Sequence, residues 1–433
     1  MSKILAGGVV FGAQDYLEDP LPAQHLLELA RSKHGFALCL CATPHRQLVI
    51  REIKGVLYLA VWPNDGHHHD PGCEFFRDIP GEAVQKKEKG VAPEKDSQTR
   101  ARSALLPAAR VNADGKWDVN VDLPKQRGNL SPAAAVHTVQ PDLPGLISRP
   151  SRNSLSLQQF LSWMWDSTSM VRWATGWRRD WWRVCRAIRT EAEAVTLRGQ
   201  NLNDLLYIPP PFRKDREAEI QAEWQAFVQP LNDSAAQGQP KRGFLLVEIK
   251  VVDRTEYGYK FQARNLARPI FIDEHLHAQI TKQAPLALAH LPRLKEQKLK
   301  CSVIALIVVE ATSKGNLRAL DATLMLTNDY YIPVTTIYEL ELANTLCQAD
   351  RTFTRGVGKH MGADFVLRDT LPATAMVISS LHSSDYVRQR DEVIEECQRN
   401  GCEIWHWQPS AAQPIPDIPP PSQRQLQRFN GKN

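Results

Sequence analysis

The spacing of apolar residues changes several times along the chain, and each change marks a predicted element. Over residues 21–32 the apolar positions recur at helical spacing, which predicts a helix. Two short apolar runs at 48–53 and 56–62 flank a Lys-Gly pair and predict a β-hairpin. We therefore predict a compact N-terminal module over residues 1–80. Residues 81–155 are charged, then rich in Pro, Gly and Asn, and predict a partly disordered connector.

The middle of the chain changes from helical to mixed patterning. Residues 156–230 predict a helical region, and Asp180 is suited to cap its second helix, over 180–197. A Gly, Ser, Gln and Pro-rich stretch at 232–241 predicts a linker. Residues 243–330 combine two hairpins with one capped helix, which predicts an α+β subdomain.

The C-terminal pattern has its own order of elements. It predicts a helix, two strands, a helix and a strand over residues 336–352, 363–369, 373–379, 384–400 and 403–407. We therefore predict an α/β subdomain over 331–408. The Pro and Gln-rich residues 409–433 predict a disordered tail. The whole chain is expected to be a multi-domain α+β protein.

Composition excludes some classes of protein and leaves others open. The 433 residues carry 53 Lys and Arg against 48 Asp and Glu, a net charge of +5 that tilts only mildly toward acidic partners. No apolar run approaches the ~20 residues of a membrane-spanning helix, and the first residues do not resemble a signal peptide. We therefore expect a cytoplasmic protein with no membrane partner, in which the 8 Cys stay reduced.

Three of the cysteines predict a metal site. Cys39-Leu40-Cys41 precedes the hairpin, and the run from His67 to Cys73 follows it. Because a hairpin brings its two ends together, these groups can form a closed Cys₃His site for structural zinc. The predicted ligands are Cys39, Cys41, His69 and Cys73. His67 and His68 remain alternatives to His69, and the competing interpretation is free thiols beside a surface histidine run.

A second concentration of residue types lies in the predicted helical region. Six of the 11 Trp fall between Trp163 and Trp182, interleaved with arginines. Aromatic and guanidinium groups together suit nucleic acids. The candidate nucleic-acid-binding residues are Arg172, Arg178, Arg179, Arg183 and Arg186. In the alternative interpretation the tryptophans build a core and the arginines form its solvated face.

The C-terminal order of elements resembles the core of the PD-(D/E)xK nuclease superfamily. That resemblance implies metal-assisted phosphodiester hydrolysis, with Mg²⁺ held by carboxylates. The matching acids here are Glu339 or Glu341 on the helix and Asp364 at the first strand. The next strand should carry an acid and a Lys but has neither. The resemblance therefore favours an inactive relative that binds nucleic acid, and the competing interpretation is an unrelated α/β subdomain with a coincidental order of elements.

Two other motifs resemble sites but favour structural explanations. Glu248 and Lys250 form an E-x-K on an apolar strand, yet no strand with a suitable Asp precedes them. His275 and His277 follow Asp273, but residues two apart on a helix point in different directions. Asp273 is better explained as a helix cap.

Several segments together resemble the bacterial domain-of-unknown-function family 1173. They include the cysteine and histidine motifs above, Tyr207-Ile208-Pro209-Pro210-Pro211-Phe212, Tyr257-Gly258-Tyr259-Lys260 and Phe271-Ile272-Asp273-Glu274. The resemblance spans most of residues 35–407. It implies a context in integrative and conjugative elements and plasmids. It carries no established activity, so it assigns no catalytic residues.

Three functions follow as hypotheses. The first is a DNA-associated accessory protein of a mobile element, without catalysis. The second is an active metal-dependent nuclease of the PD-(D/E)xK type. The third is a scaffold for protein partners of the mobile element, with the Trp-rich helices as the docking surface.

Overall fold

A computed structural model describes residues 2–53, 56–62, 65–76, 109–111, 117–123, 154–295, 300–356, 362–380, 384–409 and 414–422. In this part of the chain helices combine with four sheets, which confirms the α+β class. Within these residues, no helix is both long enough and apolar enough to cross a membrane. The disorder predicted for the connector falls mainly on residues that lie outside this description.

The N-terminal module is a five-stranded antiparallel sheet with a helix packed on it. Its elements are β1 (Lys3–Ala6), β2 (Val9–Gly12), α1 (Ala13–Glu18), α2 (Gln24–Lys33), β3 (Phe36–Cys39), β4 (Arg46–Ile53) and β5 (Val56–Val61). The order of the strands is β2-β1-β3-β4-β5. Helix α2 buries Leu27 and Ala30 against the sheet, as its apolar spacing predicts. The predicted hairpin is confirmed as β4 and β5.

The central region contains helices and several very short strands. Its elements are β6 (Ala109–Val111), β7 (Trp117–Val119), α3 (Leu157–Ser167), β8 (Arg172–Trp173), α4 (Trp181–Ala192), β9 (Val195–Leu197), β10 (Gln200–Asn201), α5 (Leu202–Leu205), β11 (Leu206–Tyr207) and α6 (Glu217–Ala236). Strands β6, β7, β9 and β10 form one small sheet. Strands β8 and β11 each join a sheet of the C-terminal half, so strands cross the predicted domain boundaries.

Residues 243–328 form a closed barrel. Its elements are β12 (Gly243–Thr255), β13 (Gly258–Ala263), β14 (Ile270–Ile272), α7 (Glu274–Gln283), α8 (Pro285–Lys295), β15 (Cys301–Ala311) and β16 (Leu317–Asn328). The strands pair in the order β12-β13-β14-β16-β15, and β15 pairs again with β12. Only β14 and β16 pair in parallel. With helices between its third and fourth strands, the barrel has the connectivity of an OB fold.

Residues 243–249 of β12 and all of β15 are buried on both faces, which explains their nearly continuous apolar sequence. One face belongs to the cluster that fills the barrel and includes Leu245, Val247, Phe261, Ile270, Val303 and Ile307. The other face belongs to a cluster with α3 and α4 and includes Phe160, Trp163, Phe244, Leu246, Ile304 and Leu306. The barrel and the helical layer therefore share two strands as a common wall.

The C-terminal sheet has five strands in the order β20-β19-β18-β17-β8. Its elements are α9 (Ile337–Gln348), β17 (Phe353–Arg355), β18 (Phe365–Leu367), β19 (Thr374–Ile378), α10 (Ser384–Arg399) and β20 (Glu403–Trp407). Strands β17, β18 and β19 form an antiparallel meander, and β20 lies parallel to β19. The predicted order of helix, strands, helix and strand is confirmed, with β17 as an additional strand.

Helix N-termini were predicted best, because their signals are local. Asp180, Asp273 and Thr336 each accept a hydrogen bond from the backbone N–H three residues later. Gly401 follows α10 with φ +77, as expected for the residue after a helix.

Three predicted ends were wrong, because long-range packing decides them. The helix predicted over 180–197 ends at Ala192, since Val195–Leu197 pairs with β7. The linker predicted over 232–241 begins as helix, because α6 continues to Ala236 and buries Leu231 and Ser234. The helix predicted over 336–352 ends at Gln348.

The tail prediction also needs correction. Residues 414–422 lie against the C-terminal sheet, where Trp405 donates its indole N–H to the carbonyl of Asp417 at 3.0 Å. Ile415 and Ile418 pack on the same core. Residues 410–413 and 423–433 lie outside the described part of the chain.

The barrel interior predicts a strong response to truncation. Phe261 is fully buried inside the barrel. We expect Phe261→Ala to lower the free energy of unfolding by about 3–5 kcal/mol, because it leaves a cavity. The neighbouring Tyr257 is 84% exposed, so Tyr257→Ala is expected to change it by no more than about 0.5 kcal/mol. Denaturant unfolding of both variants checks this, and equal losses would contradict the barrel interior.

Candidate functional site

The N-terminal sheet brings three cysteines and one histidine together. Cys39 is the last residue of β3, and Cys41 lies in the turn that follows. The hairpin of β4 and β5 then returns the chain to a short 3₁₀ helix, Gly66–His68. His69 ends that helix, and a turn in which the Cys73 N–H donates to the Asp70 carbonyl carries Cys73 back.

The four ligand atoms lie within 4.8 Å of one another, so the cluster can hold a metal ion and is compatible with zinc. The sulfurs of Cys39 and Cys73 are 3.5 Å apart. His69 Nδ1 lies 3.3 Å from the Cys41 sulfur and 3.7 Å from the Cys73 sulfur. Zinc bonds of ~2.0–2.3 Å place tetrahedral ligands about 3.3–3.8 Å apart, a range that includes these three distances.

Backbone N–H groups surround the sulfurs with partial positive charge. The N–H of Asp70 donates to the Cys41 sulfur at 3.4 Å, and that of Phe75 donates to the Cys73 sulfur at 3.3 Å. Hydrogen bonds from the Cys39 and Cys73 thiols lower the pKa of Cys41. Burial raises the pKa of Cys73. A bound cation would therefore displace the remaining thiol protons.

The structure distinguishes the three neighbouring histidines. His69 is buried and directs Nδ1 toward the sulfurs. His68 is exposed, and its ring contacts Asp65 at 2.9 Å. His67 is half-buried and lies against the ring of His68. His69 is therefore the histidine that the fold places in the cluster.

Arg172 fixes the ligand turn to the C-terminal sheet. This buried side chain donates to the carbonyl of Pro71, and at 3.1 Å to that of Phe76. Its guanidinium carbon lies 4.3 Å from the centre of the Phe76 ring. Arg172 belongs to β8, opposite Thr354 of β17. Arg172 therefore links the candidate metal centre to the C-terminal sheet, and Ser169 adds a hydrogen bond to the Phe76 carbonyl at 3.0 Å.

The five candidate nucleic-acid-binding arginines do not share one surface. Arg172, Arg179 and Arg186 are buried. Arg179 donates to three backbone carbonyls, and burial lowers its pKa to about 9 and that of Arg186 to about 10. Arg183 is half-buried and donates to the carbonyl of Arg178, which is exposed. A nucleic acid could reach only the last two of these without rearrangement.

The tryptophans among them build core. Trp163, Trp165, Trp173 and Trp181 are buried, and Trp177 and Trp182 are half-buried. Each buried indole N–H needs a partner. That of Trp165 donates to Tyr331 at 3.0 Å, and that of Trp181 donates to Pro209 at 2.7 Å. The predicted tryptophan core agrees with this burial, whereas the predicted solvated face of arginines does not, because Arg179 and Arg186 are buried.

The C-terminal sheet brings two of the predicted acids near each other. Glu339 is buried at the start of α9, where it accepts hydrogen bonds from Thr335 N and Arg355 Nη2 at 2.8 and 3.2 Å. Asp364 accepts from the Ile378 N–H at 2.7 Å and forms an ion pair with Arg390 of α10. Glu341 is exposed.

Burial dominates the electrostatics of Asp364. It raises the pKa of Asp364 to about 6, Arg390 opposes the rise, and Glu339 adds to it. The sequence analysis missed Arg355 and Arg390 as partners of these acids. Their pairing depends on a strand and a helix that are distant in sequence. At the end of β19, Ser379 Oγ lies 2.8 Å from Nε2 of His406.

The two other motifs have structural explanations. Glu248 is buried, accepts from Ser302 at 2.9 Å and pairs with Arg264 at 3.0 Å, whereas Lys250 is exposed. Asp273 caps α7, accepting from the Leu276 N–H at 2.7 Å.

The histidines of α7 are likewise apart from any metal cluster. His277 stacks on Tyr259 with ring centres 3.5 Å apart. The Cys39, Cys41, His69 and Cys73 cluster is the group of potential metal ligands found among the described residues.

Fold and site thus define an α+β protein with a Cys₃His cluster that can hold a metal ion. The model of a protein family of unknown function, DUF1173, matches residues 17–410. The chain belongs to this family, which confirms the family resemblance. Comparison with curated proteins and with solved structures gave no match. The family assigns no activity, so function must be argued from the residues themselves.

The geometry predicts a metal content that depends on named ligands. We expect the untagged protein to bind about one zinc per chain. Cys73→Ser should lose this zinc, because Cys73 is one of the four clustered ligands. His68→Ala should keep the zinc, because His68 lies outside the cluster. Elemental analysis of purified protein measures both. Zinc-free wild-type protein, after reducing and zinc-supplemented preparation, would contradict the site.

The buried ion pair predicts a pH-dependent stability. Because the folded pKa of Asp364 is raised to about 6, its carboxylate costs stability as pH rises through that value. Arg390→Met removes the opposing cation and raises this pKa further. We therefore expect a larger loss of stability at about pH 8 than at about pH 5.

The exposed Arg399 at the end of the same helix supplies the control. Arg399→Met should show a small loss that is equal at the two pH values. Thermal unfolding measures the four combinations. A loss for Arg390→Met that does not change with pH would show that the pair does not control Asp364.

Proposed function

We propose that this protein is a DNA-associated accessory protein of a mobile genetic element, with a structural zinc site and without catalysis. One observation carries the proposal: the topology of the C-terminal sheet. Helix α9, the meander β17-β18-β19, helix α10 and the parallel strand β20 follow the order of a PD-(D/E)xK nuclease core. Nuclease cores of this type bind a phosphodiester backbone, and this supports a nucleic-acid partner.

The occupants of the acidic cluster argue against cleavage. A nuclease of this type needs carboxylates that hold a divalent cation and a Lys that orients water. Here Arg390 pairs with Asp364, and Arg355 pairs with Glu339. The guanidinium groups supply the positive charge that Mg²⁺ would otherwise bring. Strand β19, Thr374–Ile378, carries neither an acid nor a Lys.

The zinc assignment rests on the closed ligand set. Three sulfurs and one imidazole complete a tetrahedron, so zinc would have no open position for water or substrate. Its role would be to hold the turn from His69 to Cys73 in place. That turn is where Arg172 attaches the N-terminal module to β8. Zinc would therefore stabilise the contact between the N-terminal module and the C-terminal sheet.

An active nuclease remains the second candidate, and one observation favours it. Glu339 is close enough to Asp364 to raise its pKa, as paired metal-binding acids do. Mg²⁺ would have to displace both arginines from the acids.

The proposal predicts binding without cleavage. We expect labelled DNA to bind the wild-type protein at low salt and to be released steeply as salt rises, because phosphate contacts release counterions. With Mg²⁺ added, the same DNA should stay intact. Fluorescence anisotropy and gel electrophoresis measure the two results.

Two outcomes would change the proposal. Absence of binding to single- and double-stranded DNA at low salt would overturn it and favour a protein scaffold. Mg²⁺-dependent cleavage that Asp364→Ala abolishes, while Arg399→Met cleaves normally, would favour the nuclease.

A further inference from the structure

The barrel wall is covered on one side and open on another. The N-terminal half of β12 and most of β15 lie beneath α3 and α4. Along β13, β14 and the start of β16, alternate residues point into the barrel: Tyr259, Phe261, Ala263, Ile270, Ile272, Leu317 and Ala319. The intervening side chains face outward. Of these, Lys260, Gln262 and Phe271 are half-buried, and Arg318 is exposed.

An aromatic ring lies between two cations on this outer face. Lys260 pairs with Phe271 across β13 and β14, and Phe271 pairs with Arg318 across β14 and β16. Neighbouring strands are ~4.8 Å apart, so the three side chains form one continuous row. Asp253 and Glu310 stand at its ends and pair with the cations. The side chains of Lys260 and Arg318 are 35% and 49% exposed, so phosphates can reach both cations while Asp253 and the buried Glu310 stay paired with them.

A second aromatic ring is exposed at the end of these strands. Tyr257 lies in the turn between β12 and β13 and is 84% exposed. Gly258 beside it allows close approach to β14, because a Cβ there would lie 2.4 Å from the Ile272 carbonyl oxygen. The hairpin is thus held against β14, and Tyr257 is presented from a fixed backbone.

Several cations lie around the two aromatic rings. Residues 250–272 contain five cationic and two acidic side chains, but Glu248, Asp273 and Glu274 flank this segment, so individual exposed cations rather than a net charge would meet phosphates. Lys250 and Arg254 are exposed beside the row, and Lys314 is exposed in the turn between β15 and β16. Cations around accessible aromatic rings are the combination that binds unstacked bases and their phosphates.

We infer that the outer face of β13, β14 and β16 binds single-stranded DNA, with bases stacking on Phe271 and Tyr257 and phosphates meeting Lys260 and Arg318. The inference rests on the proposed DNA association and names the surface and the strandedness. A paired base inside a duplex has no free face to stack on a side chain, so the aromatic rings select single strands.

The test measures how tightly variants of this face, called wall variants, and control variants bind an oligo-dT of roughly 15 nucleotides. That length is within the site size of one barrel of this type. Phe271→Ala and Tyr257→Ala should each weaken binding about tenfold, as expected for one lost stacked base. The double variant K260Q/R318Q should lower the slope of log affinity against log salt by roughly 0.7 for each lost phosphate contact. A duplex of equal length should bind the wild type more weakly.

The control residues lie outside this face, and Arg31 matches Arg318 in exposure. Phe212 is 63% exposed, and Arg31 is 47% exposed and ion-paired, as Arg318 is at 49%. Phe212→Ala and Arg31→Gln should bind like the wild type. Unchanged zinc content and thermal midpoint exclude misfolding, and Tyr257→Ala removes only an exposed ring.

The outcomes separate the two proposals. If the wild type binds DNA and the wall variants bind equally well, or if duplex binds better than oligo-dT, this surface is wrong while DNA association stands. Weakening by the controls as strong as by the wall variants would also overturn the surface. If the wild type binds neither form of DNA, the proposed function and this inference both fail.

Discussion

The pairing of β12 with β15 is the constraint on which the rest of this structure depends. It closes the barrel, and it gives two strands with apolar side chains on both faces. One face fills the barrel, and the other supports α3 and α4. Each fully buried Leu, Ile or Phe contributes ~1.5–3 kcal/mol, so this shared wall is a large part of the stability of both layers. The helical region could not keep its arrangement without the barrel behind it.

The limits of prediction follow from the distance over which each feature is decided. Helix caps such as Asp180 and hairpins such as β4 and β5 depend on neighbouring residues, and the sequence predicts them. The four candidate metal ligands could be predicted because cysteine and histidine have few other reasons to converge. Barrel closure could not be predicted, because it joins strands separated by the whole of α7 and α8. Strand β8 could not be predicted either, because it is two residues long and is a strand only through its pairing with β17.

Arginine shows why residue types alone do not locate a binding surface. The segment around Trp173 has the composition of a nucleic-acid site. Arg172 and Arg179, however, donate their hydrogen bonds to backbone carbonyls inside the protein. The outer face of β13, β14 and β16 has fewer aromatic rings, but there Phe271 lies between Lys260 and Arg318 and is accessible to solvent. Composition records how many cations a segment has. Only the alternation of a strand decides which of them meet solvent.

Arginine side chains also connect the N-terminal module to the C-terminal sheet. Arg172 holds the turn that carries His69 and Cys73, and it belongs to the strand that pairs with β17. Arg355, which compensates the charge of Glu339, is the last residue of β17. The candidate metal centre and the acidic cluster are therefore anchored to opposite sides of one strand pair. Arginines pair with both acids of that cluster. The strand pair thus fixes the relative placement of the N-terminal module and the C-terminal sheet.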